Sequence, residues 1–239
     1  MMKLFKVALT VIAVSLMTTS CKTTDLNRVL EGIGGNQQLS EQTVVAGLKQ
    51  ALEVGTKNSV NSTNRSGGFS NNPLIKIVVP EQLDSAASTL RKVGLGSYVN
   101  NFEMQMNRAA EKASGEAKDV FIGAISSMSI ADAWGILRGG DNAATNYFRD
   151  RTQSNLERRF QPIITSSMEK VGFYKDYKQL LGAYQKLPFS DKPNMNIEDY
   201  VMQETLNGLF TLVAQEEKKI RDNPVARTTE LLQKVFSQQ

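Results

Sequence analysis

From Ser40 to Phe236, apolar residues recur at helical spacing in one segment after another. In the first, Val44, Val45, Leu48, Ala51 and Leu52 share one face of a helix that opens at Ser40 and Thr43 and runs through Lys57. Asn58 to Asn72 is rich in Asn, Ser and Gly and reads as a loop, with Gly67-Gly68 free to take backbone angles closed to other residues. Further helices are expected at 81–92, 97–113, 115–127, 130–138, 142–170, 173–186, 197–221 and 224–236. Their ends carry chemical marks. Ser129 with Asp132 is a capping-box pair. Gly139-Gly140-Asp141 is a stop followed by an N-cap. Pro162 removes a donor inside the longest helix and is expected to kink it. Gly172 ends that helix, Asn196 caps the next, and Asn223-Pro224 opens the last.

One stretch departs from this period. LIKIVVP, residues 74–80, is rich in β-branched residues and ends at Pro80. A single strand cannot form a sheet, so it pairs with a short neighbour, lies across helices, or pairs with a partner chain. The fold class is therefore all-α: a single multi-helix domain over 40–239, with at most one short extended or β-ribbon segment near 74–79. No internal repeat and no long linker divides it.

Residues 1–20 have a different character. Lys3 and Lys6 precede an eleven-residue run, Val7 to Met17, in which only Thr10 and Ser15 are polar; Thr18, Thr19 and Ser20 are small. That is the pattern of a secretory signal peptide, and the run is too short to span a bilayer, which takes about 20 residues. The alternative is a buried N-terminal helix. Cys21, the chain's one cysteine, follows directly. Secreted chains normally use cysteines in pairs. A lone cysteine behind a leader resembles a lipoprotein signal, in which the thiol carries a diacylglycerol and the new N-terminus is acylated. Thr18 stands where such leaders usually carry Leu, and Leu16 lies two residues further back. Plain cleavage leaving a free thiol is the other reading. Residues 21–39 then serve as a lipidated tether. Lys22 rather than an aspartate follows the cysteine, which favours the outer over the inner membrane. The expected location is the cell envelope, on the periplasmic face of a membrane.

Composition removes several function classes. The chain has no histidine, and its cysteine is committed to the anchor. His-dependent triads, cysteine nucleophiles and zinc sites built from His or Cys are excluded. Lys and Arg number 28 against 24 for Asp and Glu. Without Lys3 and Lys6 the excess is only two, and no basic stripe with interleaved aromatics supports nucleic-acid binding. LRGGDNAAT, residues 137–145, lacks a phosphate loop's lysine and preceding strand. The acidic runs lack calcium-loop spacing. No cofactor and no metal are expected.

Seven segments, IKIVVP (75–80), MNRAAEKA (106–113), MSIADAWGIL (128–137), AATNYF (143–148), FQPII (160–164), DYVMQETLNGLF (199–210) and EEKKIRDNPVARTTELLQKVF (216–236), resemble domain-of-unknown-function family 4197 of Gram-negative envelope proteins, in the family's order. The resemblance implies a helical domain behind a signal or lipoprotein leader. It brings no assigned activity and no catalytic residues.

Two helices carry the candidate site residues. On 97–113, Val99, Phe102, Met106, Ala109, Ala110 and Ala113 share an arc bordered by Glu103, Asn107 and Glu111. That stripe is a solvated flank partnered by Arg108 and Lys112, a polar network between helices, or a ligand site. Glu103 and Glu111 are about 12 Å apart along the axis, beyond the roughly 5–9.5 Å of glycosidase carboxylate pairs. On 197–221, Glu217 falls in the centre of the apolar stripe of Leu206, Leu209, Phe210, Val213 and Ile220. Either the helix leaves the core there and Glu217 is wet, or Glu217 is buried against Arg221 or Arg227, or it is functional. A polar cleft is thus expected to draw on Asn107, Arg108, Glu111, Asp132, Glu217 and Arg221. Trp134, Tyr147, Phe148 and Tyr200 are expected to fill the core. The leading reading is a non-enzymatic binding or interaction module that takes an envelope protein or an apolar ligand. A carboxylate-dependent hydrolase and a structural envelope component are the alternatives.

Overall fold

The computed structural model describes residues 40–170, 172–185 and 195–222. The leader, Cys21, the tether and the expected last helix with Asn223, Pro224 and Arg227 lie outside these residues. The described chain is all-α: α1 (Glu41–Thr63), a 3₁₀ turn (Glu81–Leu83), α2 (Asp84–Lys92), α3 (Gly96–Ser114), α4 (Ala117–Ser126), α5 (Ile130–Arg138), α6 (Ala143–Lys170), α7 (Phe173–Gln185) and α8 (Ile197–Asp222). No strand occurs among the described residues.

The longest helix explains the arrangement. Its buried residues Ala144, Phe148, Thr152, Leu156, Phe160, Ile164 and Met168 recur every four positions. Each such step overshoots a full turn by about 40°, so the stripe winds about 240° round α6 from end to end. No single neighbour covers a stripe of that kind. Accordingly α6 packs against α3, α4, α5, α7 and α8. Pro162 sits inside α6 on its exposed side. The carbonyl that loses its helical donor belongs to Arg158, which is also exposed.

Phe121, Phe148 and Phe210 join α4, α6 and α8 at the centre. Phe121 meets Phe148 edge-on at 5.1 Å and Phe210 at 6.1 Å between ring centroids. All three are essentially inaccessible, each contributing about 1.5–3 kcal/mol by burial. Phe148 is core, as expected, while Trp134, Tyr147 and Tyr200 are partly buried at its edge.

The first helix runs six residues further than its apolar pattern indicates, and residues 58–63 are helix rather than loop. Its extension buries Ser59, Val60 and Thr63. The hydroxyls of Thr56, Ser59 and Thr63 donate to the carbonyls of Leu52, Gly55 and Ser59, at 2.7, 2.9 and 3.0 Å. Hydroxyls that would favour a loop are satisfied within the helix itself.

The stretch near 74–80 lies across the helices without a strand partner. Ile75, Ile77 and Val79 are buried, whereas Leu74 and Val78 are exposed. The alternation is that of a strand, but the Ile75 and Lys76 amides donate to the Asn72 carbonyl, and side chains bond the backbone of Leu74, Ile77 and Val78. Gly208 permits the approach. A Cβ on that residue of α8 would stand 2.6 Å from Phe69 Cε1 and 3.1 Å from Ile75 Cβ.

Candidate functional site

Asn107 and Glu111, one turn apart on α3, hold the segment 69–77 in place. Both are buried. The Asn107 Oδ1 accepts from Ile77 N at 2.9 Å, and its Nδ2 donates to Ile77 O at 2.7 Å. One side-chain amide thereby supplies both ladder bonds a neighbouring strand would have made. Glu111 Oε1 accepts from the amides of Phe69 and Ser70 and from the Ser70 hydroxyl at 3.2–3.3 Å. Glu103, at the end of the same stripe, pairs with Lys76 and Arg91 at 3.6 and 3.2 Å. The stripe is a polar network: Asn107 and Glu111 face an extended segment, and Glu103 also reaches α2 through Arg91. Arg108 is exposed on the far side.

Glu217 is buried, so the wet-face reading does not hold. Its Oε1 accepts from Ala144 N at 2.9 Å and its Oε2 from Thr145 N at 2.9 Å and Thr145 Oγ1 at 2.8 Å. Ala144 and Thr145 are the second and third residues of α6, whose amides an N-cap side chain ordinarily satisfies. The helix expected from 142, with Asp141 as its cap, begins one residue later at Ala143, and a carboxylate from α8 does the capping. Arg221, one turn on, closes the arrangement. Its Nε and one Nη bond Glu217 Oε1 at 3.0 and 2.8 Å. The same Nη donates to Ile136 O, in the last turn of α5, at 2.9 Å. The anion thus sits at a helix N-terminus and the cation at a helix C-terminus, each the favourable sign for the dipole it meets. The space beside the pair is about 20 Å³, room for about one water.

Asp132 forms the capping box the sequence indicates. Its Oδ2 accepts from Ser129 N at 3.0 Å and from the Ser129 hydroxyl at 2.7 Å, and Ser129 Oγ accepts from Asp132 N at 3.0 Å. These bonds from Ser129, with Arg151 3.6 Å away, hold the carboxyl below its ordinary range. The six residues therefore divide. Asn107 and Glu111 act together, Glu217 and Arg221 act together, Asp132 caps its own helix, and Arg108 faces solvent.

A further carboxylate escaped notice in the sequence. Glu198, in the first turn of α8, accepts from Gln161 Nε2 at 3.2 Å, from Thr165 Oγ1 at 2.7 Å and from the Tyr174 hydroxyl. Burial and then this carboxylate push the Tyr174 hydroxyl well above its ordinary range. The donors come from α6 and α7, and no spacing within α8 points to them.

A roomy concavity lies elsewhere, in the stretch read from sequence only as loop. It has a volume of about 490 Å³, within the range of small-ligand sites. Its walls are the end of α1, the turn 65–73 and the outer face of α8 around Leu212 and Lys219. Gly67 turns the chain at φ 80°, in the left-handed region that favours glycine. A Cβ on Gly68 would stand 2.3 Å from Thr63 O. The adjacent glycines were the visible signal. What they serve is a turn folded tightly back on the end of α1.

Residues 38–237 match the model of a protein family of unknown function, DUF4197. The chain belongs to that family. No curated protein and no solved structure matches it. Membership assigns no activity, because the family's function is unknown.

Proposed function

We propose that this DUF4197 chain is a lipid-anchored envelope protein whose helical domain is a non-enzymatic binding module. The observation that carries this reading is how the polar groups are spent. Glu111 and Glu217 are both committed to backbone amides, Glu217 to Arg221 as well, while the open cleft at 65–73 presents Arg65, which makes no ion pair and no side-chain hydrogen bond among the described residues. The hydrolase reading built on Glu111, Glu217 or Asp132 has less support, because each of these carboxylates is committed to a backbone segment. A purely structural envelope component would not need an open polar cleft. The anchor is supported by Cys21 standing directly after a charged, apolar and small-residue leader. No single helix among the described residues is long and apolar enough to cross a membrane.

The test uses the full-length chain in cells, with a photo-crosslinking residue at Asn71 or, as a control, at Lys112. A discrete adduct from position 71 that is absent from position 112 is expected. Equal labelling from both positions, or none from either, overturns the binding reading. Cys21→Ser is expected to leave the membrane fraction and lose lipid labelling. A variant that stays membrane-bound beside a lipid-free wild type overturns the anchor.

A further inference from the structure

The cleft between α1, the turn 65–73 and α8 has a definite chemical sense. Its one carboxylate, Glu216, is already held by Asn58 Nδ2 at 2.8 Å and by Lys219 Nζ. Beside that pair stand the Arg65 guanidinium, the Asn71 amide and the hydroxyls of Ser62 and Ser66. Arg65 makes no ion pair and no side-chain hydrogen bond among the described residues. The main chain adds to this. Around the turn, Arg65, Gly68, Asn71 and Asn72 donate their amides to Thr63, Arg65, Gly67 and Phe69 carbonyls, and Phe69 and Ser70 donate to Glu111. The amides of Ser66 and Gly67 donate to no residue. Two successive amides beside a left-handed glycine form the kind of concavity that holds an oxyanion. A guanidinium beside them supplies charge-assisted, paired donors.

We propose that this cleft binds the phosphate group of a small polar molecule. Arg65 and the Ser66 and Gly67 amides receive the phosphate oxygens, and Asn71, Gln215 and Leu212 line the space left for the rest of the molecule. The inference rests on the binding reading above and names the ligand class of that site. A phosphate of this description comes either from a soluble phosphoester or from a lipid headgroup.

The test titrates the soluble domain, residues 22–239, with glycerol 3-phosphate, inorganic phosphate and acetate, reading tryptophan fluorescence and calorimetry. Full-length protein in detergent, which shows that removing residues 1–21 has not impaired the fold, is titrated beside it. Separate arms add vesicles of phosphatidylglycerol in phosphatidylcholine, and of phosphatidylcholine alone. Saturable binding of glycerol 3-phosphate, or of phosphatidylglycerol vesicles above phosphatidylcholine vesicles, is expected, and which arm responds identifies the source. Arg65→Gln should weaken it about tenfold, the loss of one charge-assisted contact. Lys112→Gln, an exposed cation outside the cleft, should leave it unchanged. Acetate binding as well as phosphate, an equal loss in both variants, or no binding in any arm overturns the proposal. If the crosslink at Asn71 persists while every phosphate arm fails, the ligand class is wrong and the binding reading stands.

Discussion

Glu217 and Arg221, four residues apart on α8, hold the two sides of one turn: the carboxylate receives the amides of the second and third residues of α6, and the guanidinium donates to a last-turn carbonyl of α5. Glu217→Ala takes the carboxylate from the half-buried Arg221 and uncaps α6, so a loss of about 3–5 kcal/mol is expected. Glu217→Gln keeps the shape, but its amide group must face either the Thr145 amide or the arginine, both donors. About 2–3 kcal/mol is expected there. Denaturant unfolding of both variants beside the wild type gives the comparison. Midpoints unchanged in both would mean that the pair contributes nothing to the fold.

The Asn107 amide stands in for a strand. Asn107→Ala removes the partner of both Ile77 backbone groups, and two buried polar groups left unpaired cost about 2–4 kcal/mol. The same substitution should speed hydrogen exchange at the Ile77 amide far more than at amides within α6. Unaltered exchange at Ile77 would show that this segment is held by its apolar side chains alone.

The helices were legible because each buries a stripe, and a stripe shows in the order of residues. Glu217 was visible as a misfit on such a stripe, and Arg221 as its neighbour at helical spacing. The amides of Ala144 and Thr145 were not visible, since the start of a distant helix leaves no mark on the sequence around residue 217. The end of α1 was hidden for a different reason. Ser59 and Thr63 occupy buried positions where an apolar residue would have continued the pattern. Residues 65–73 read as a loop in either case. That the loop folds back to wall a cleft depends on Gly68 lying against the Thr63 carbonyl, a contact that composition cannot express.

Gly208 carries a prediction of opposite sign to its helix propensity. Alanine in mid-helix is favoured over glycine by about 1 kcal/mol. Here the added methyl meets the buried Phe69 ring at 2.6 Å and Ile75 at 3.1 Å, and overpacking of that kind costs about 1–3 kcal/mol. Gly208→Ala should therefore destabilise, by up to about 2 kcal/mol on balance. Adding Phe69→Leu opens space at the ring, so the double variant should lose less than the sum of the two single changes. Additive losses would show that the methyl does not press on Phe69.

Asp132 sets a dependence on acid. Its bonds from Ser129, and then Arg151, lower its pKa in the fold below the ordinary 3.8. The folded state therefore holds this proton less tightly than the unfolded chain does. The stabilisation is fully present above the unfolded value and disappears as pH falls from about 4 through the folded value. Carboxyl chemical shifts should show Asp132 titrating below an unstructured aspartate. Asp132→Asn retains an acceptor for the Ser129 amide and has no charge to lose. Its stability should fall less steeply than the wild type's as pH drops below about 4. Ser129→Ala should move the Asp132 titration back towards its ordinary value, because the hydroxyl is the largest cause of the shift. Parallel acid profiles for wild type and Asp132→Asn, with an unshifted Asp132 resonance, would show that the capping box does not hold this carboxylate in solution.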